Sequence, residues 1–372
     1  MKKYIVVENS ESPHEEGILS ICKFLKMADA HIVLMLGEVN FTRANALGLD
    51  QIADEIQLLK KPFSVFTLLK SRNKNSTVIY NTISVRNSLF TFLTSFGFGK
   101  NVYYIRNANS WLRYSWHYTS LMDVIVRNIS TFLKKNMLSR EYMVLVENSR
   151  IKKYLIEKKI KRIDVVPFKF RNDLHSNASS TGLIRFVIPG LVDFKRKQID
   201  LVVKSFLAIE LDLRNKFQLI LLGKTRGQIE IDACQDWERL LGKSFIWYKS
   251  FVGVSEFSRI MSQCDIVITA FKTQHQCEHF SEIYGVTRGS GVDAHAISRA
   301  LPLIVNEDFV VDEEYFSSTI KFKSENELTQ KIVELITNPK RLKEIQSLAL
   351  LNSQQYTINS FFKKISYLWG EE

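Results

Sequence analysis

Cysteine is scarce in this chain of 372 residues. There are four, Cys22, Cys234, Cys264 and Cys277, and none forms a CxxC pair. Such spacing points to reduced thiols of a cytoplasmic protein. Long apolar runs are missing too. The longest stretch, 89–98, is broken by Thr91, Thr94, Ser95 and Gly97. That falls far short of the roughly 18 apolar residues of a membrane-spanning helix. The opening MKKYIVVENS has no long apolar core and no small-residue cleavage site, so a signal peptide is not expected. Acidic residues are outnumbered: 39 Asp and Glu face 51 Lys and Arg, for a net charge of +12 at pH 7. This excess suggests a polyanionic partner, whether nucleic acid, an anionic membrane surface or a phosphate-bearing substrate.

What is present is an ordinary globular composition, 45% apolar and 24% charged, which excludes a disordered, collagenous or coiled-coil chain. The length suggests two domains. Short apolar runs at 3–7, 31–36, 78–80, 102–105, 142–146 and 163–166 alternate with helical spacing, as in Ile18, Ile21, Cys22 and Leu25. Continuous apolar strands separated by helices predict a parallel sheet covered on both faces. The stretch 167–182 is polar and aperiodic and reads as a linker. The alternation then restarts, with strands at 184–188, 217–222, 245–248, 265–269 and 303–305 and helices at 199–209, 255–261, 292–299, 325–336 and 339–350. A terminal helix carries Ile358, Phe361, Phe362, Ile365 and Leu368 on one face. The expected domains are 1–170, joined by the C-terminal helix within 356–372, and 182–355.

Ligands of such sheets bind at the carboxyl ends of the strands, so the loops after strands hold the candidate chemistry. The first follows strand 184–188 and contains Lys195, Arg196 and Lys197 just before a helix. Three cations at a strand's end suit a phosphate, although a solvated basic loop has the same composition. The second runs from Glu282 through Tyr284, Gly285, Thr287, Arg288, Gly289 and Ser290 to Gly291. Its hydroxyls and Arg288 suit phosphate oxygens, Glu282 suits sugar hydroxyls, and its glycines suit close approach of backbone to a ligand. It is neither a Walker loop nor GxGxxG.

The order of these features resembles the C-terminal domain of a GT-B glycosyltransferase, of the kind gathered in glycosyltransferase family 4. The likeness runs over roughly 180–350. It rests on Gly190 with its basic loop, Leu219–Gly223, Phe251 and Val252 with Glu256 and Phe257, the segment 264–268, Glu282-x-Tyr-Gly, and Ala300-Leu301-Pro302. It implies the GT-B fold: two Rossmann-like domains facing a cleft, with the C-terminal helix crossing back. It implies a retaining transfer of sugar from a nucleotide-diphosphate sugar to an acceptor hydroxyl, with no further cofactor. It further implies that Arg196, Lys197 and Glu282 serve catalysis, and that Lys195, Phe251, Val252, Tyr284, Gly285, Thr287, Arg288 and Ser290 bind the donor. Ser290 stands where the family usually has a second glutamate, and Leu191 where it usually has arginine. These two departures open an alternative, a non-catalytic scaffold that binds a glycan or a partner enzyme. No Asp-x-Asp occurs, so the metal-assisted diphosphate binding of the other major glycosyltransferase architecture is not expected.

Three further features complete the reading. Gly17 opens the first helix after the polar segment 8–16, where Glu11, His14 and Glu15 lie; Gly17 and His14, with Arg106 and Asn107 after strand 102–105, are expected on the acceptor or diphosphate side. The string His275-Gln276-Cys277-Glu278-His279 has no second ligand group at metal spacing and reads as a loop that contacts donor or acceptor, not as a metal site. Between Arg127 and Arg162, eleven basic residues face three acidic ones, a net of +8, and Val124, Ile125, Ile129, Phe132 and Leu133 precede the first lysines. Such a segment suits an anionic leaflet. No nucleic-acid-binding motif is found. The expectation is a peripheral enzyme on the inner face of the plasma membrane, acting on a lipid-linked glycan of a surface polysaccharide.

Overall fold

A computed structural model describes residues 2–10, 15–45, 48–60, 64–114, 120–140, 143–171, 182–272, 274–277 and 280–365. The chain forms two compact units. The first comprises Met1–Lys169, Gln276–Gly289 and Ile358–Glu372, and the second Phe170–His275 and Ser290–Thr357.

The first unit is built on seven parallel strands: β1 (Lys3–Glu8), β2 (His31–Leu36), β3 (Glu55–Leu58), β4 (Ser76–Tyr80), β5 (Lys100–Ile105), β6 (Met143–Val146) and β7 (Ile163–Val165). They lie in the order β3-β2-β1-β4-β5-β6-β7. The second unit holds six: β8 (Ile184–Pro189), β9 (Phe217–Lys224), β10 (Phe245–Tyr248), β11 (Ile266–Thr269), β14 (Leu303–Asn306) and β15 (Thr319–Phe322). Their order is β10-β9-β8-β11-β14-β15. Taken in chain order, the first six strands of either sheet run 3-2-1-4-5-6, the doubly wound arrangement. The reversal of strand order at β1 and at β8 places the connecting helices on both faces.

The central strands are apolar because both their faces are covered. Tyr4–Val7 of β1 and Ile32–Leu36 of β2 are buried. In the second unit Phe206 of the helix Ile199–Leu207 lies between Phe186 and Phe217, each ring centroid 5.1 Å from its own. The last helix, Ile358–Ile365, packs on the helix Glu15–Met27 of the first unit, with Phe362 5.5 Å from Phe24. Cys22, Cys234 and Cys264 are buried free thiols.

Four strands depart from the expected pattern. β3 (EIQL) and β15 (TIKF) are edge strands, only partly buried, so they show no apolar run. β12 (Gln274–Cys277) and β13 (Phe280–Ile283) form a two-stranded sheet where the sequence suggests a loop. The segment 276–289 belongs to the first unit, although the sequence places it within 182–355. Its hydrogen bonds explain this and form part of the site below.

Candidate functional site

In the second unit the basic loop after β8 is organised by a buried carboxylate. Asp193 is 1% exposed and accepts from the Lys195 N–H at 2.9 Å and from Arg226 Nη1 at 2.6 Å. Arg196 Nε stands 3.5 Å from it. Burial pushes the Asp193 carboxyl up, but the Arg226 hydrogen bond, the Lys195 N–H and the charges of Arg226 and Arg196 outweigh it and hold the group below the usual carboxylate range. Asp193 therefore stays ionised and fixes two guanidinium groups that remain partly in solvent, at 36% and 53% exposure. The cationic surface at the carboxyl ends of β8 and β9 thus includes Lys195, Arg196 and Arg226. Arg226 does not emerge from sequence reasoning, and its signal was only its place just after β9.

Lys197 has a different place from its two neighbours. Its side chain is buried, and Nζ donates to the carbonyls of Pro189 at 2.8 Å and Leu191 at 3.3 Å. Those carbonyls flank Gly190, whose φ is +83°. Burial, aided by the charge of Arg196, lowers the ammonium to about 7. Lys197 ties the turn at the end of β8 together. After β10, Val252 is buried while Phe251 is 66% exposed and presents its ring. Ser290 caps the helix Gly291–Ser298, its hydroxyl accepting from the Val292 N–H at 3.0 Å.

In the first unit the segment Glu282–Arg288 is anchored to the residues after β5. Glu282 is 1% exposed and accepts from the N–H groups of Ser110 at 3.2 Å and Asn109 at 3.5 Å. The Asn109 amide donates to the Ser281 carbonyl at 2.7 Å, and the Ala108 N–H to the Thr287 carbonyl at 2.8 Å. Asn107 forms a β-bridge with Arg288. Within the segment Thr287 Oγ1 accepts from the Ile283 N–H, Gly285 sits at φ +82°, and Arg288 stacks 5.6 Å over the buried ring of Tyr284. Burial raises the Glu282 carboxyl to about 7, against the lowering effect of Thr287, the Asn109 and Ser110 N–H groups and Arg288. Gly289 answers to close packing: a Cβ there would collide with the carboxylate of Glu147.

At the carboxyl ends of β1, β4 and β5 a second polar group gathers in the same unit. Glu8 is wholly buried and accepts from Asn81 Nδ2 at 2.6 Å and the Ser10 N–H at 2.9 Å. Arg106 Nη2 donates to Asn81 Oδ1 at 3.1 Å, and its guanidinium fills the space a side chain at Gly17 would take. The rings of Tyr104 and Phe168 lie 5.3 and 5.1 Å from it. Burial raises the Glu8 carboxyl above its ordinary value. Gly17, Arg106 and Asn107 therefore lie at one end of one sheet, with Glu8 and Asn81 as supports the sequence did not single out. His14, Glu11 and Glu278–His279 lie outside the described residues, as do the side chains of His275 and Cys277. Among the described residues no cluster of three metal-ligating side chains occurs.

No protein-family model matches the sequence, and no curated protein does. Solved structures do match. HepE of Anabaena in complex with UDP-glucose aligns over 100% of both chains at 13% identity, with a TM-score of 0.71. A glycosyltransferase from Rickettsia africae covers 98% of its own length and all of this chain at 14% identity, with a TM-score of 0.66. The pneumococcal O-GlcNAc transferase GtfA, in complex with UDP and GlcNAc, aligns over 99% of its length and 100% of this chain at 10% identity, again with a TM-score of 0.66. At such identities the likeness is one of architecture, and with two doubly wound parallel-sheet units the chain has the GT-B fold of these glycosyltransferases.

Proposed function

We propose that this protein is a glycosyltransferase. It moves a sugar from a nucleotide-diphosphate sugar to the hydroxyl of a glycan, with retention of anomeric configuration. The observation that carries the reading is the cationic group Lys195, Arg196 and Arg226 on buried Asp193, at the carboxyl ends of β8 and β9. Charge builds on a diphosphate as it leaves, and fixed guanidinium groups stabilise it most at that stage. Lys197 is a positioning residue, since it acts through the Gly190 turn. Phe251 beside Val252 suits stacking of a nucleobase. Tyr284, Gly285, Thr287, Arg288 and Ser290 belong to donor binding, Glu282 is a positioning residue that holds their segment through the Asn109 and Ser110 N–H groups, and Gly17, Arg106 and Asn107 belong to the acceptor or diphosphate side. The acceptor is a lipid-linked glycan of a surface polysaccharide, met at the inner face of the membrane.

The test is calorimetry with UDP, followed by transfer assays across a panel of nucleotide sugars. Arg196→Ala is expected to weaken UDP binding and abolish transfer. No heat of binding with any nucleoside diphosphate, and transfer unchanged by Arg196→Ala, would overturn the reading. A second reading, a non-catalytic GT-B scaffold, is favoured by Ser290 and Glu282. One caps a helix and the other accepts from backbone N–H groups. It predicts binding of nucleotide or glycan with no turnover.

A further inference from the structure

The helix Leu121–Leu138 of the first unit is apolar on its outward face. Six of its positions are exposed: Leu121, Met122, Ile125, Val126, Ile129 and Phe132. All six are apolar, and Ile129 and Phe132 are 52% and 57% exposed. Its buried positions are Ser130, Thr131, Leu133, Lys134, Met137 and Leu138, a mixture of polar and apolar side chains. A helix of a water-soluble surface turns its polar face outward. This one turns out a continuous apolar stripe, which marks a contact surface.

The neighbouring elements carry exposed apolar side chains as well. The helix Ser88–Thr94 packs against it, and Ser64–Ser71 packs against Ser88–Thr94. On these two and the turn that follows, Phe66, Leu89, Leu93 and Phe96 are exposed. Arg140, exposed just beyond the long helix, lies 3.7 Å over the ring of Phe96.

The charge around this surface has one sign. Residues 56–140 contain a single acid, Asp123, and among the described residues of that stretch the exposed charges, from Lys60 and Lys70 to Arg113 and Arg140, are all basic. Some cations in and beyond this stretch are engaged elsewhere. Lys134 is buried over Trp111, Lys135 lies 4.0 Å over Tyr114, and Lys152 pairs with Asp164 at 3.0 Å. No described helix is long and apolar enough to cross a membrane. An outward apolar stripe set in a carboxylate-poor, cationic surface fits a partner that is apolar inside and negative outside.

We propose that the outward face of Leu121–Leu138, with Phe66, Leu89, Leu93 and Phe96, lies in the interface of an anionic phospholipid bilayer. The apolar side chains enter the acyl boundary, and the exposed basic residues of 56–140 meet the lipid phosphates. This deepens the membrane part of the proposed function and rests on that part alone, not on the donor chemistry.

The test uses the full chain and vesicles of phosphatidylcholine, alone or with about a quarter phosphatidylglycerol. Wild type is expected to co-sediment with the mixed vesicles and much less with the neutral ones. The double variant Ile125→Asp/Ile129→Asp is expected to lose roughly tenfold or more of that partition. Both positions are exposed, so its melting temperature and UDP affinity should stay those of wild type. Ile125→Trp gives a second readout: its fluorescence should shift to the blue on mixed vesicles and be quenched by brominated acyl chains. Wild type remaining in the supernatant, equal partition of the double variant, or an unshifted, unquenched tryptophan would overturn the proposal. So would a chain dimer in sedimentation velocity that the double variant dissociates, since a second copy would then cover the face. Loss of UDP binding alone, with vesicle partition intact, would sink the donor reading and leave this one standing.

Discussion

The two units present their strand-end polar groups in opposite ways. In the second, Asp193 is buried and its cations reach outward, so guanidinium groups are held in place yet partly wet. In the first, Glu282 is buried and its partners are the backbone N–H groups of its own unit. One arrangement fixes charge for something that arrives; the other satisfies backbone that would otherwise be orphaned. Two motifs of similar composition thus differ in what their polar atoms are free to do.

That contrast can be broken most directly at the cations. Arg196→Ala with Arg226→Ala should lower UDP affinity about 100-fold or more in calorimetry, since hydrogen bonds to charged groups contribute roughly 1.5–3 kcal/mol each. A change within about twofold would mean a merely solvated basic loop. Next in size is Glu282→Ala, which strands two buried N–H donors. It should cost roughly 2–3 kcal/mol and lower the melting temperature by about 5–10 °C. A melting temperature equal to wild type would show that the carboxylate carries no structural role.

The pH response sharpens the same point. The folded Glu282 carboxyl is raised to about 7 from 4.5, so its contribution is complete below the ordinary value and is lost as pH rises through 7. Glu282→Gln should flatten the fall in melting temperature between pH 5 and 8, by roughly 2–3 kcal/mol of stability. Lys197, lowered to about 7 from 10.5, acts in the separate window above it, where stability grows as pH rises toward 10.5. Lys197→Met should remove that alkaline gain, read in melts from pH 7.5 to 10. The smallest effect is expected at Ser290, where Ser290→Ala removes a helix cap and costs about 1 kcal/mol in a denaturant titration. A loss of donor affinity beyond that loss of stability is the expected sign of its part in donor binding, and unchanged affinity would leave it a cap alone.

Much of this fold is legible in the sequence, for a definite reason. β1, β2, β9 and β11 are covered on both faces, and their composition is therefore continuous and apolar. β3 and β15 sit at sheet edges, where one side faces water and no run develops. In the site, Lys195–Lys197 stand out as a block, but nothing local separates the solvent-facing Arg196 from Lys197, which turns inward to two carbonyls. Arg226 is one isolated residue, and only its pairing with an aspartate 33 positions earlier gives it meaning. The placement of Glu282 depends on partners 172 and 173 residues away. Pairings over such distances leave no periodic trace.

The first unit is also assembled from three separate stretches, the last beginning at Ile358. During synthesis its initial 169 residues emerge well before their final partner. At about 5–20 residues per second, the interval to Ile358 is roughly 10–40 s. For that time Phe24 and the surface around it await Phe362. The nascent chain thus passes through an interval in which the apolar surface around Phe24 is made but not yet covered.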